Sequence, residues 1–298
     1  MFTPAGKNIL FTKQPALAPG VVLRGRYEVL TKLGEGGTGE VFRAKDYTLD
    51  RFVAVKMLDP GLMTDAVSVK RFQLEGRAIS RLQHPNLVTV FDFDTSENGI
   101  PFLVMEHLEG QSLALTLRRE KMLDYKRALA LLAPACDGIQ HAHNHKVIHR
   151  DIKPSNIMLV VHSGREMAKI VDFGIAKMLS TSDESSDNAL TETGEAIGSP
   201  PYMSPEQCLG RGLTGATDQY SLGCVLYQCL TGVPPHLGES FYETFVKHRN
   251  DVPRPLVIAA PGLKFPPNLE TIVQRMLAKD PSGRFASMTE CKEAMLSI

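Results

Sequence analysis

The sequence lacks an excess of charge of either sign. Its 33 lysine and arginine residues balance 33 aspartate and glutamate residues, so the formal net charge is zero. A nucleic-acid-binding domain usually carries a basic surplus or a basic stripe along one face. Neither is present here, and we therefore expect no nucleic-acid partner.

Long apolar runs are absent as well. No stretch approaches the roughly 20 apolar residues that span a bilayer, and residues 1–19 have no compact apolar segment of the secretory-signal kind. The five cysteines are an odd number, irregularly spaced and without a C-x-x-C pair. This pattern indicates reduced thiols in a cytoplasmic protein. An alternative, which rests on the family resemblance given below, is the cytosolic domain of a longer, membrane-anchored protein.

The pattern of the chain changes near residue 106. Residues 1–26 are rich in proline, glycine and alanine, which predicts an N-terminal extension. Short β-branched runs from Tyr27 to residue 107 predict strands, with one helix at about 67–82. Residues 108–298 have a mostly helical pattern, including a long helix from Tyr125 to Asn144. The length of 298 residues fits one large bilobal domain or two ordinary ones.

A glycine-rich segment lies between the first two predicted strands. Gly34, Gly36 and Gly39 form G-x-G-x-x-G, which lets a backbone approach phosphates closely. A strand follows at Val41, where a dinucleotide-binding fold would begin a helix and a Walker A loop would have Lys-Ser or Lys-Thr. The pattern alone fits a phosphate loop or a glycine-rich hairpin. Lys56, at the end of the next apolar strand, is a surface lysine or, beside such a loop, a phosphate-binding cation.

Further motifs follow in order along the chain. They are His-Arg-Asp-Ile-Lys-Pro-Ser-Asn at 149–156, Asp-Phe-Gly at 172–174, Ser-Pro-Glu at 204–206, an aspartate at 218 and Asp-Pro-Ser-Gly-Arg at 280–284. Over residues 27–297 the sequence resembles the eukaryotic-type (Hanks-type) serine/threonine protein kinase catalytic domains, bacterial branch. The resemblance implies an α+β bilobal fold. It has a five-stranded antiparallel sheet and one main helix in the N-lobe (27–107), and a mostly α-helical C-lobe (108–298), with a hinge at about 106–110.

The resemblance also implies a reaction. The γ-phosphoryl group of ATP is transferred to serine or threonine hydroxyls of protein substrates, with Mg²⁺, for which Mn²⁺ could substitute. By position in the motifs, Asp151 orients the acceptor hydroxyl and receives its proton, and Lys153 neutralises charge on the transferred group. Lys56 binds the α- and β-phosphates and is held by Glu75 on the N-lobe helix. The implied metal ligands are Asn156 and Asp172.

An adenine cleft between the lobes is the implied nucleotide site. The nucleotide-binding residues are Leu33, Gly34, Gly36, Gly39, Val41, Ala54, Lys56, Met105, Glu106, Leu108 and Met158. In this interpretation Val41 and Ala54 cover the adenine, and Met158 lies beneath it. Met105 is the gatekeeper, and the backbone on either side of residue 107 offers hydrogen bonds.

Regulation is implied by an activation segment at 172–206. Arg150 is expected to pair with a phosphorylated residue of that segment. Thr191 and Thr193 resemble the paired autophosphorylation sites of bacterial transmembrane-type kinases, with a flexible polar loop as the alternative. Ser199 stands where related kinases have threonine, and its hydroxyl suits a bridge between the catalytic aspartate and lysine. The resemblance also implies that residues 149–156 form the catalytic loop. The implied structural residues are Glu206 with its partner Arg284, and Asp218 beneath the catalytic loop.

Alternative functions remain at this point. A pseudokinase scaffold usually lacks the ATP-binding lysine, the catalytic aspartate or the metal aspartate, and all three are present. A small-molecule kinase of related fold generally lacks the Ser-Pro-Glu anchor, which is also present. A nucleotide sensor would bind ATP without transferring phosphate, and a turnover assay separates it. A homodimer formed through the N-lobe is a further expectation from the resemblance.

Overall fold

The structure is a computed structural model, and it describes residues 17–36, 39–59, 74, 76–173 and 199–298. Predictions for Glu75, Thr191 and Thr193, and for most of the activation segment, lie outside the described residues. Of the N-lobe helix predicted at about 67–82, residues 74 and 76–82 are described; residues 74 and 76–79 are helical, and residues 80–82 are not.

An antiparallel sheet builds the N-lobe. Its strands are β1 (Val22–Leu23), β2 (Tyr27–Gly36), β3 (Gly39–Asp46), β4 (Arg51–Leu58), β5 (Val90–Thr95) and β6 (Pro101–Glu106). They lie in the order β1-β2-β3-β4-β6-β5, so the sheet has six strands, one more than predicted. The additional strand is β1, where Leu23 pairs with Tyr27 and is buried in the N-lobe core. The end of the predicted N-terminal extension is therefore part of the sheet.

Side chains along β3 and β4 point alternately to the two faces of the sheet, and this alternation decides which of them reach the cleft. On β4, Val53, Val55 and Met57 pack into the core of the N-lobe together with Phe42 of β3. Because successive side chains of a strand point to opposite faces, Lys56 lies on the other face. Its cross-strand partner is residue 41 of β3. The two-residue period thus places Lys56 and residue 41 on the same face of the sheet, opposite the N-lobe core.

Helices and a small second sheet form the C-lobe. The helices are α1 (Leu113–Glu120), α2 (Tyr125–Asn144), α3 (Pro205–Cys208), α4 (Gly215–Thr231), α5 (Phe241–Asn250), α6 (Leu256–Ala259), α7 (Pro267–Met276) and α8 (Met288–Leu296). The sheet consists of β7 (Gly110–Ser112), β8 (Ile157–His162) and β9 (Arg165–Ile170), in that order. The predicted helix at 125–144 is confirmed, with Pro134 inside it.

Helix α4 is the centre of the C-lobe. Thr214 and Thr217 form a capping box at its start, and Gly232 ends it with φ of 80°. Most of its residues are buried, polar ones included, as expected of a helix surrounded by protein. Its first turn holds Asp218 completely buried, directly beneath the catalytic loop.

Asn86 joins the two lobes behind the cleft. Its side-chain Nδ2 donates to the carbonyl of Ala168 at 2.8 Å, and its own carbonyl accepts from the backbone N–H of Ile170 at 2.8 Å. Leu87 also forms a parallel bridge with Ile170. The chain before β5 is thereby fixed to β9, two residues before Asp172.

Candidate active site

A cleft of about 400 Å³ lies between the N-lobe sheet and the C-lobe. Most of the predicted nucleotide residues line it: Leu33, Gly34, Val41, Ala54, Met105, Glu106, Leu108 and Met158. Asn156 and Asp172 line it as well, so the predicted metal ligands share the cleft with the predicted adenine site. The backbone N–H of Glu106 already donates to the carbonyl of Thr89 at 2.9 Å. A ligand at this residue would therefore use the carbonyl of Glu106.

Other cleft residues were not predicted from the sequence. They are Val88, His107, Gly110, Gln111, Ser112, Leu115, Ser155 and Val171. Several belong to β7 and the first turn of α1, which continue directly from the hinge. Gly110 has a packing reason as well, because a Cβ there would lie 2.1 Å from the carbonyl oxygen of Leu159. Ser155 lies within the motif at 149–156 and Val171 directly precedes Asp-Phe-Gly, so those two positions could have been indicated by their motifs. No motif marks the positions from His107 to Leu115, which only their place at and after the hinge could have indicated.

The three loop glycines have different environments. Gly39 has φ of 134°, and a Cβ there would lie 1.9 Å from the carbonyl oxygen of Met57, so no other residue fits. At Gly34 and Gly36 a Cβ would have no other atom within 4 Å. Gly39 is thus required by the packing of β3 on β4, whereas Gly34 and Gly36 border open space. Neither Gly36 nor Gly39 lines the cleft among its described residues.

Lys56 contacts the aspartate of the Asp-Phe-Gly motif. It is 5% exposed, and its Nζ forms an ion pair with Oδ1 of Asp172. Asp172 has φ of 65°, in the left-handed region that non-glycine residues rarely adopt. The next residue, Phe173, is buried against the ring of His149, with 4.7 Å between ring centroids. This buried ring anchors the chain beside the strained aspartate.

The catalytic loop places a lysine between an aspartate and a serine. Lys153 Nζ lies 2.8 Å from Oδ2 of Asp151 and donates to Oγ of Ser199 at 2.8 Å. Asn156 Nδ2 donates to the backbone carbonyl of Asp151 at 2.9 Å and to its Oδ2 at 3.1 Å. The amide nitrogen of Asn156 is therefore directed at Asp151. These bonds fix the position of Asp151 from two sides.

A buried carboxylate supports the loop from below. Asp218 accepts from the backbone N–H groups of His149 and Arg150, each at 2.8 Å. Its Oδ2 also lies 2.8 Å from Nε2 of His143. Burial alone would raise the pKa of Asp218, but its hydrogen bond to His143, the electrostatic influence of His143 and His149, and the bond from the backbone N–H of His149 bring that pKa below its ordinary value. Arg150 has φ of 65°, a conformation that this double contact stabilises.

A buried ion pair connects distant segments of the C-lobe. Arg284 Nη1 and Nη2 bind Oε1 and Oε2 of Glu206 at 2.8 and 3.0 Å, with the two side chains 0% and 5% exposed. Thr217 Oγ1 donates to Oε1 of the same carboxylate at 2.9 Å. Burial tends to raise the pKa of Glu206, and the Arg284 bonds outweigh it and lower that pKa. The pairing that the resemblance implied is present.

Polar contacts that the sequence did not reveal hold residues 199–207. Gln207 Nε2 donates to the backbone carbonyl of Arg150 at 2.8 Å. Tyr202 is held at both ends: Ser221 Oγ donates to its carbonyl at 2.7 Å, and its hydroxyl donates to Gln228 at 2.6 Å. Each of these residues is an ordinary polar residue when seen alone, so only the fold brings them together.

The side-chain oxygens in the cleft suit a metal ion that is bound partly by the phosphates of a substrate. No cluster of three or more His, Cys, Asp or Glu side chains able to hold a metal ion occurs within the described ranges. Mg²⁺ is usually held through one or two carboxylates plus substrate phosphates and water. Asn156 and Asp172, which both line the cleft, match that requirement.

The helices of the structure are short or polar relative to a bilayer-spanning helix. None of those among the described residues combines the length and the apolar character needed to cross one.

Comparison with known proteins agrees with this geometry. The family model of the protein kinase domain matches residues 27–296, and the chain therefore belongs to the protein kinase domain family. Members of this family use ATP and a divalent metal ion.

Within the family, the similarity is to bacterial serine/threonine-protein kinases. The chain is 38% identical to serine/threonine-protein kinase pkn3 of Myxococcus xanthus, over 94% of this chain and 51% of that protein. It is 37% identical to serine/threonine-protein kinase PknB of Mycobacterium tuberculosis, over 93% of this chain and 43% of that protein. The chain thus spans about half the length of these relatives. The crystal structure of the Mycobacterium tuberculosis PknI kinase domain matches with a TM-score of 0.74 and 27% identity, covering 95% of this chain and 99% of that one.

Proposed function

We propose that this chain transfers the γ-phosphoryl group of Mg·ATP to serine and threonine hydroxyls of proteins. The observation that carries the proposal is the position of Lys153, 2.8 Å from both Asp151 Oδ2 and Ser199 Oγ. Lys153 thereby connects the catalytic loop, which would meet the acceptor hydroxyl, with the segment at Ser199, which would hold the substrate chain. Such a link favours catalysis on a peptide over mere binding of nucleotide.

Each catalytic side chain then has a task that its surroundings support. Asp151 orients the acceptor hydroxyl and receives its proton, and its fixed position matters more than its basicity. Lys153 stabilises negative charge on the transferred group. Lys56 would bind the α- and β-phosphates in place of its contact with Asp172. Glu75 remains the proposed partner that holds Lys56 at that point.

Asn156 and Asp172 are the proposed Mg²⁺ ligands. Their side-chain oxygens are the hard donors that Mg²⁺ prefers, and the bound ion would neutralise charge on the phosphates. Mn²⁺ shares these ligand preferences and is the proposed substitute. The adenine would occupy the cleft between Val41 and Met158.

Regulation by autophosphorylation belongs to the same proposal. Thr191 and Thr193 are the proposed acceptors, and Arg150 is the proposed partner of the resulting phosphate. The proposal also includes the lobe division after residue 107, the hinge at 106–110 and the activation segment at 172–206. We further propose a cytoplasmic location, alone or as the cytosolic domain of a membrane-anchored protein, and homodimerisation through the N-lobe.

A kinase reaction with phosphosite mapping tests the proposal. The chain is incubated with Mg·ATP and a generic basic protein, and both are mapped by mass spectrometry, with Asp151→Asn as the control. Phosphoserine and phosphothreonine that depend on Asp151 support kinase activity. ATP binding without any transfer by the wild-type chain would instead favour a pseudokinase scaffold or a nucleotide sensor. Absence of phosphate between residues 180 and 199 would rule out autophosphorylation there.

A further inference from the structure

Gln207 is the third residue of α3, and its side-chain amide makes two hydrogen bonds with different parts of the chain. Its Oε1 accepts from the backbone N–H of Ser204 at 3.0 Å, and its Nε2 donates to the backbone carbonyl of Arg150 at 2.8 Å. Since one partner is a donor and the other an acceptor, the two contacts settle which amide atom is the nitrogen. Gln207 therefore connects the start of α3 with the catalytic loop.

The contact with Ser204 does not by itself require a glutamine. Ser204 Oγ accepts in return from the backbone N–H of Gln207 at 3.3 Å, so the two residues form a capping box. A glutamate serves in this position as well as a glutamine does, and a helix N-terminus favours a negative charge. The amide nitrogen, which a glutamate lacks, is thus explained by the bond to Arg150 and not by the cap.

The carbonyl of Arg150 belongs to the peptide group that directly precedes Asp151. Because a peptide group is planar, a donor that holds this carbonyl also fixes the direction of the Asp151 N–H, which donates to Nδ1 of His149 at 3.3 Å. On the other side of Arg150, its own N–H donates to Asp218 at 2.8 Å. The left-handed conformation of Arg150, with φ of 65°, is therefore held from both ends. Such a sparsely populated conformation persists only where the surroundings fix it.

We propose that Gln207 is a positioning residue for Asp151. By holding the Arg150 carbonyl, it orients the peptide group that carries the Cα atom of Asp151. Two residues beyond Asp151, Lys153 donates to Oγ of Ser199 at 2.8 Å. Asp151 thus lies between two bonds that both come from residues 199–207. If the proposed kinase function is correct, on which this role rests, the segment that would hold the protein substrate also sets the position of the carboxylate that would receive the proton.

Gln207→Glu separates the two contacts of this side chain. The carboxylate keeps an oxygen for the N–H of Ser204, and with it the capping box, but it has no N–H and would repel the carbonyl of Arg150. We expect wild-type thermal unfolding, an unchanged Kd for Mg·ATP and an unchanged KM for a protein substrate. The kcat should fall by about 10- to 100-fold, because an acceptor beside the catalytic aspartate loses its donor.

Gln207→Met is the matched control for the charge that Gln207→Glu introduces. The methionine loses both the donor and the cap but adds no charge. Its kcat should fall as in Gln207→Glu, and its KM for the protein substrate should also rise, because the N–H of Ser204 loses its partner. A kcat loss confined to Gln207→Glu would assign the effect to the new charge and overturn the proposal. Wild-type kcat in Gln207→Glu would overturn it as well.

Crystal structures of the wild-type chain and of Gln207→Glu give a second measurement that needs no catalysis. We expect the carbonyl of Arg150 to turn away from residue 207 and the carboxylate of Asp151 to move away from Lys153. A wild-type chain that transfers no phosphate would refute the proposed function, and this comparison would still test the positioning role. It also decides if Gln207→Met does not fold. An unchanged peptide group before Asp151, with its carboxylate in the same place in both structures, overturns the proposal.

Discussion

The two walls of the cleft are built by different means. The C-lobe wall rests on buried charges, with Asp218 beneath the catalytic loop and Glu206 bound to Arg284. The N-lobe wall rests on strand alternation, which turns Lys56 toward the cleft, and its glycine loop is open to solvent around Gly34. Removing one partner of a buried charge pair in the C-lobe should therefore damage folding, whereas a substitution at the open end of the glycine loop should leave folding intact.

The largest effect is expected from removing one partner of the buried pair. Arg284→Met leaves Glu206 charged and buried, which should lower the free energy of unfolding by about 3–5 kcal/mol. Urea unfolding measures the change. The control is Lys292→Met, which breaks the partly exposed pair with Asp137 and should cost about 0–1 kcal/mol. Equal losses in the two variants would contradict the claim that burial of the Arg284–Glu206 pair makes it important for folding.

The glycine loop offers the next test. Gly39→Ala drives a methyl group into the Met57 carbonyl, and separating β3 from β4 should cost about 1–3 kcal/mol. Gly34→Ala meets no atom, and its unfolding free energy should change by no more than about 0.5 kcal/mol. Thermal or urea unfolding compares the two. Similar destabilisation by both would show that the loop is not open at its outer end.

The loss of the Ser199 hydroxyl should affect activity and not folding. Ser199→Ala removes a hydrogen bond from the charged Lys153, worth about 1.5–3 kcal/mol, and phosphoryl transfer should slow by roughly tenfold or more. Ser199→Thr keeps the hydroxyl and serves as the control. Steady-state transfer to a protein substrate is the measurement. Full activity of Ser199→Ala would show that the hydrogen bond between Lys153 and Ser199 is not needed for transfer.

The pH dependence of stability should expose the buried carboxylates. The folded-state pKa values of Asp218 and Glu206 are depressed, so their contribution is complete above the unfolded carboxyl pKa values of about 4. It is lost as the pH falls below that range through the folded values. Unfolding measured from pH 7 to pH 3 should show this decline. The decline should be shallower in Arg284→Met, since Glu206 then loses the bond that lowers its pKa, and an unchanged slope would contradict this.

Motifs with fixed spacing made much of the site predictable. The period of two in β4 fixes Lys56 on the cleft side, and the helix from 125 to 144 followed from its apolar spacing. The two-residue strand β1 has no period to detect, so the sheet was predicted one strand short. His143, Gln207 and Gln228 were missed because their contacts span distant parts of the chain. A single polar residue acquires a role only when the fold supplies its partner.

Transfer of labelled γ-phosphate by the wild-type chain and by Asp151→Asn tests the central claim most directly. Asp151 is held by Lys153 and Asn156 on the C-lobe wall, apart from the N-lobe groups that would bind nucleotide. We predict that the variant binds Mg·ATP with an unchanged Kd and loses transfer by about 10²–10⁴-fold. Transfer at the wild-type rate by Asp151→Asn would contradict the account.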